Sequence, residues 1–160
     1  MFLDSRRYLS ENKGEKSSHH RVARIVMQGI TGVNEKTRLK MTIIQPGTFC
    51  GNSANYMVFD NQTENLNYYL GILNSKLLNF IFSKFSTNSN VNGYEVDNLP
   101  HPKNADKTNK EPIEKLADRI LAAKRANPQA DTSEWEGEID QLVYELYGLT
   151  EEEIKIVGGK

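Results

Sequence analysis

Two periods of apolar residues divide this chain. Up to Asp60 they fall in short β-branched runs separated by polar, glycine- and asparagine-rich stretches; from Leu66 onward they recur at three- and four-residue spacing. The runs Val22 to Gln28 (VARIVMQ) and Leu39 to Gln45 (LKMTIIQ) are bounded by turn chemistry, Pro46-Gly47 closing the second, and predict strands. Between them, Gly29 to Arg38 is too polar and glycine-rich for core and predicts an exposed loop joining the two strands. Asn55 to Asp60 predicts a third strand, with Gly51-Asn52-Ser53 before it as a bend or bulge.

The second half is helical. Leu66, Tyr69, Leu70, Leu73, Leu77, Phe80 and Ile81 share one helical face, predicting a single helix to Phe85 that packs on the sheet. Its other flank, Ile72, Leu78, Phe82 and Phe85, predicts burial on two sides. Ser86 to Gly93 (STNSNVNG) is turn-forming and cannot be core. Glu111 or Pro112 is expected to open a further helix, ended by Asn127-Pro128. Ser133 with Glu136 and Thr150 with Glu153 match capping boxes for two more. The expected architecture is α/β (α+β): a small mixed sheet packed by an amphipathic helix, then a C-terminal helical hairpin. Residues 1–102 are assigned to the sheet unit and 103–160 to the helical segment, which packs on that unit or on a neighbouring domain.

Composition adds limits rather than detail. A chain of 160 residues with 38% hydrophobic and 26% charged positions can bury one core. Its single cysteine, Cys50, excludes an internal disulfide and fits a reducing cytoplasm; a small buried apolar role is expected of it. No segment reads as a signal peptide, and the helix from Tyr68 to Phe85 is interrupted by Asn74, Lys76, Asn79 and Lys84, too polar for a membrane span. A cytoplasmic protein without membrane association is expected.

The net charge of −1 conceals an uneven distribution. Up to Glu95 there are eleven Lys/Arg against seven Asp/Glu; from Val96 the counts are nine and fourteen. Nine of the basic residues precede Met41 among only four acids. Such a segment can pair with phosphates and release counterions, although the same charges would also simply solvate a surface. His19-His20 lacks a second ligand pair at metal spacing, and Gly29 and Gly32 lack the lysine and serine of a phosphate loop.

Three segments carry a family resemblance. They are RRYLSENKGEKSSHHRVARIVMQGITGVNEKTRLKMT (Arg6 to Thr42), GTFCGNSANYMVF (Gly47 to Phe59) and YYLGILNSKLLNFIFSKFSTNSNVNGYEVDNLPHP (Tyr68 to Pro102), with "GITGVNEK" and the asparagine-rich stretch the most specific parts. Together they resemble the TaqI-like C-terminal specificity domain of single-chain type IIS/IIG restriction-modification enzymes, whose polypeptide carries adenine-N6 methyltransferase and endonuclease. The ending EIDQLVYELYGLTEEEIKIV is similar to the way such polypeptides close. The resemblance implies target recognition on double-stranded DNA, with the methyltransferase and endonuclease domains as partners elsewhere in the parent enzyme. Neither the Asn-Pro-Pro-Tyr/Phe motif nor the glycine-rich cofactor motif of the methyltransferases occurs here. No active site and no cofactor are therefore assigned to this chain; S-adenosylmethionine and Mg²⁺ belong to the parent enzyme.

On that reading the candidate DNA-binding residues are Asn34, Lys36 and Arg38 in the strand-connecting loop, with Arg21, Arg24 and Lys40 beside it. Arg38 and Lys36 can pair with guanine O6 and N7, and Asn34 with adenine. Asn52 and Asn55 are weaker candidates, as are Asn88 and Asn90, whose loop is expected to do more capping than reading. If the second strand begins at Arg38, alternation places Arg38 and Lys40 on one face and Leu39 and Met41 on the other. Two rival classes remain open from the residues alone: a protein-interaction module without base readout, and an RNA-binding domain, for which no aromatic stacking platform is visible.

Overall fold

Ile25 and Met27, two positions apart in a β-branched run, are both buried, and their alternation organises the sheet. This computed structural model describes residues 5–59, 65–102 and 105–159. The central strand β1 (Arg24–Gln28) lies between β2 (Met41–Ile44) and β3 (Ala54–Met57). Val26 stands opposite Thr42 on one side and Tyr56 on the other. Both pairings are antiparallel, so the sheet is not mixed. The chain turns back through residues 29–40 to make β2 antiparallel to β1, and residues 45–53 then return it to the end where β1 finishes, so that β3 runs the same way as β2 and again opposes β1. Each strand is shorter than its apolar run, and Asp60, expected in β3, lies outside the described residues.

Before the sheet come α1 (Ser5–Glu11) and a 3₁₀ helix, Glu15–Arg21. They attach through aromatic contacts: Tyr8 meets Phe49 edge-on at 5.6 Å and His20 stacks on Phe49 at 4.8 Å. Cys50 is half-buried and free.

The expected single helix is two, α2 (Leu66–Asn74) and α3 (Lys76–Phe85). The break is at Ser75, whose ψ of 156° is extended and whose hydroxyl accepts the Leu78 N–H to cap α3. Buried Asp140 completes the cap, accepting the Lys76 N–H at 2.8 Å and pairing with its ammonium at 2.8 Å. Periodicity alone does not reveal such a break, because an N-cap serine keeps both helices' apolar faces nearly in phase.

The break also aims two amides at the edge of β2. Asn74 accepts the Met41 N–H at 2.9 Å and donates to the Met41 carbonyl at 3.0 Å. Asn79, buried, accepts the N–H groups of Arg38 and Leu39, each at 2.8 Å. These side chains occupy the place of a fourth strand and satisfy an edge that would otherwise be left bare.

After α4 (Gly93–Asp97) follow α5 (Lys107–Ala126), α6 (Ser133–Tyr147) and α7 (Glu151–Val157). Helix α5 starts earlier than Pro112, because Asp106 caps it through the Asn109 N–H at 3.0 Å; the proline sits inside. The α6 cap is Thr132 rather than Ser133, with its hydroxyl donating to Glu136 at 2.6 Å. The Thr150–Glu153 box forms as expected. Helices α5 and α6 pair as a hairpin and pack on α2, where a Cβ on Gly71 would meet Ile113 Cγ2 at 2.5 Å. Glycine is what lets the helices approach this closely. One core therefore joins Ile25, Met27, Leu39 and Phe82 to Ile113, Leu116, Ile139 and Val143. Among the described residues no helix is long and apolar enough to cross a membrane.

Candidate nucleic-acid interface

Three polar loops meet where β1 ends. After Gln28 the chain pairs briefly with the asparagine-rich segment: Ile30 bridges Asn90 in antiparallel fashion, with Thr31 N–H donating to Ser89 O at 3.0 Å and Val91 N–H to Gly29 O at 2.9 Å. On its other side Gly29 N–H donates to Ser53 O at 3.0 Å, which draws in the turn before β3. A Cβ at Gly29 would stand 2.7 Å from that carbonyl, so only glycine fits between the two loops. Asn55 adds a tie, its amide donating to Val91 O at 2.7 Å.

Arg38 holds the cluster from beneath. Its guanidinium donates to Ser86 O at 2.9 Å, Asn88 O at 2.5 Å and Asn90 O at 3.4 Å, and lies over the Phe82 ring at 4.9 Å. Only 1% of the residue is exposed. A planar fork of donors can gather carbonyls from three residues of one loop, which a lysine ammonium on a flexible stem does less well. The neighbouring Glu95 contributes as well: burial alone would raise its carboxyl, but the Asn92 N–H groups and the Arg38 charge outweigh that and hold it below the usual carboxylate range.

Several expectations change in consequence. Arg38 is not positioned to enter a groove; it is a structural cation, and β2 does not begin until Met41, so strand alternation never applied to it. Arg24 is also buried, donating to the Thr48 carbonyl and lying over the Tyr56 ring at 4.8 Å. Asn55 is half-buried and engaged with Val91. The remaining loop candidates, Asn34, Lys36, Lys40, Asn52, Asn88 and Asn90, are exposed and belong to the loop end of the sheet. Arg21 is exposed too, but it precedes β1 and so lies towards the opposite end.

The asparagines divide by what they already bind. Asn88 turns its carbonyl oxygen onto the Asn90 N–H at 2.8 Å, and Asn92 caps α4 in a box with Glu95. The side-chain amides of Asn34, Asn52 and Asn90 make no hydrogen bond among the described residues. Lys40 approaches Glu35 at 3.7 Å with both side chains about half exposed, a pairing that contributes little and leaves the ammonium available. Lys36 is exposed in the same loop.

Three exposed apolar side chains were not singled out from sequence. Ile30 is 58% exposed, Val33 47% and Tyr94 65%. Ile30 lies between Gly29 and Gly32 on the stretch bridged to Asn90, and Val33 follows Gly32. The two histidines are engaged locally: His19 Nδ1 is 3.2 Å from the Tyr56 hydroxyl and His20 Nδ1 is 2.6 Å from Ser17 O. Among the described residues no group of three or more His, Cys, Asp or Glu is placed to hold a metal ion.

The surface is thus a rigidly tied, polar loop cluster with unengaged amides, flanking lysines and a few aliphatic tips. Comparison with known families matches residues 5–100, more than half of the chain, to the one described as the TaqI-like C-terminal specificity domain. No curated protein matches the chain.

Proposed function

Because this chain belongs to the TaqI-like C-terminal specificity domain family, we propose that it recognises a particular sequence in double-stranded DNA on behalf of a restriction-modification enzyme. A domain of this kind selects a site rather than transforming it. Methyl transfer and strand cleavage, with S-adenosylmethionine and Mg²⁺, are assigned in this proposal to other domains of the enzyme. The acidic C-terminal helices repel phosphate and are assigned to contact with those domains.

The observation that carries the reading is the loop cluster: among the described residues the side-chain amides of Asn52 and Asn90 are left unengaged on backbone tied down by neighbouring hydrogen bonds, with the unengaged amide of Asn34 in the adjoining loop. An asparagine amide accepts from adenine N6–H and donates to N7 at once, and such a contact discriminates only if its backbone is held before DNA arrives. Lys36 and Lys40 flank these amides and supply phosphate contacts that set register without reading sequence. Arg21 offers a further phosphate contact towards the other end of the sheet.

Selection from a random duplex library, followed by titration of the selected duplex over a range of salt, tests this. One motif is expected to be enriched. Lys36→Ala and Lys40→Ala should each weaken binding to every duplex and reduce the magnitude of the salt slope by about one unit. Binding without any enriched motif would overturn base readout and favour an interaction module.

A further inference from the structure

The bridge between Ile30 and Asn90 has a consequence for which base pair the cluster fits. Its two hydrogen bonds join residues 31 to 89 and 91 to 29, flanking the pair rather than linking it. That pattern defines a non-hydrogen-bonded antiparallel pair, the arrangement in which facing side chains approach most closely and emerge on the same side. Ile30 and Asn90 therefore present an aliphatic group and a carboxamide side by side. Both are exposed, Ile30 to 58%.

Most of the backbone beneath them is already committed. Asn90 N–H is held by Asn88 Oδ1 at 2.8 Å, its carbonyl accepts from Arg38 at 3.4 Å, and the Ile30 carbonyl accepts from Gln28 at 2.7 Å. Apart from the Ile30 N–H, what this pair offers a partner is its two side chains. At 58% exposure Ile30 keeps more than half of its surface in water, where an apolar partner would stabilise it.

In the major groove an A·T pair displays N7 and N6–H of adenine, then O4 and the C5-methyl group of thymine. We infer that Ile30 and Asn90 together read one A·T base pair, Asn90 through adenine N6 and N7 and Ile30 through the thymine methyl. This rests on the DNA-recognition reading above. It adds a methyl-sensing residue to it and fixes the identity of one position in the site. A G·C pair has no methyl group, and it places an acceptor where Asn90 needs a donor.

The test uses the full chain and its selected duplex, with each thymine replaced singly by deoxyuridine and each adenine by 7-deazaadenine. At one A·T pair, deoxyuridine should weaken binding about fourfold, the effect of one methyl group's burial, and 7-deazaadenine about tenfold for the lost half of a bidentate contact. Ile30→Ala should abolish the deoxyuridine effect and keep the 7-deaza effect, Asn90→Ala should do the reverse, and Ile30→Val, which still presents methyl groups, should retain both. A selected motif whose binding is indifferent to deoxyuridine at every A·T pair overturns this inference and leaves the DNA reading standing. Absence of any selected motif overturns both.

Discussion

Arg38 and Asn90 exchange the roles that their chemistry alone would give them. An arginine in a polar loop reads as a guanine contact, and an asparagine in a turn-rich stretch reads as a cap. Arg38 is instead almost wholly buried and binds three backbone carbonyls, whereas the Asn90 amide is unengaged. Charged hydrogen bonds of this kind contribute about 1.5–3 kcal/mol each, less what rehydrated carbonyls recover. Arg38→Ala should therefore destabilise the protein by about 2–4 kcal/mol and speed amide exchange through residues 86–91, with Arg38→Lys in between because a single ammonium cannot span the same carbonyls. Asn90→Ala should stay within about 0.5 kcal/mol of the parent in thermal denaturation, as exposed substitutions do. A stable Arg38→Ala protein with intact exchange protection would show that the guanidinium is not what holds the loops. Burial is the property that sequence could not supply here, since it depends on where Phe82 and the 86–90 segment sit, more than forty positions away.

At the scale of elements, several signals were legible where the stabilising partner is close in sequence, although the equally local caps Asp106 and Thr132 were placed a few residues off. The Thr150–Glu153 box and the three strand runs are of this kind. Features that join distant segments were not: the Ser75 break depends on Asp140, and the closed edge of β2 depends on Asn74 and Asn79. The α4 cap lies between these cases and makes a pH prediction. Glu95 is held below its ordinary range in the fold, so its ionised form stabilises the native state fully above the unfolded carboxyl value of about 4.3, and that contribution is lost as pH falls through the lower, folded value. Thermal melts between pH 7 and pH 3 should show Glu95→Gln less stable at neutral pH and less sensitive to acid than the parent. Parallel acid limbs for the two proteins would mean that Glu95 is not a source of the acid sensitivity.

For the whole molecule, one core runs through both the sheet unit and the helical segment. The family match ends at residue 100, yet α2 is buried as much against α5 and α6 as against the sheet. Tyr147 also donates to the Pro100 carbonyl at 2.7 Å, tying α6 to the segment where the match stops. Removing residues 103–160 would strip Ile113 and Ile139 from the face of α2 at Gly71. Six buried side chains, Ile113, Leu116, Ala117, Ile139, Val143 and Tyr144, would go with them, a loss on the order of 10 kcal/mol, comparable to the whole stability of a domain. A chain ending at Pro102 is expected to lose cooperative melting and bind a hydrophobic dye. A sharp, dye-free transition for that truncation would show that the sheet unit folds alone.

The sequence by itself determined the three strand runs, the existence of the longer C-terminal helices, the α/β class, the excess of basic residues before Met41 and the family, because each follows from periods, caps and motifs carried by neighbouring residues. Tertiary structure decided which polar residues remain available. Arg24, Arg38 and Asn55 are consumed by carbonyls that folding brings to them, and Asn34, Asn52 and Asn90 are left over. Identical side chains thus take opposite roles, for a physical reason: a donor meets whichever acceptor folding places within about 3 Å, and chain separation carries no information about that distance.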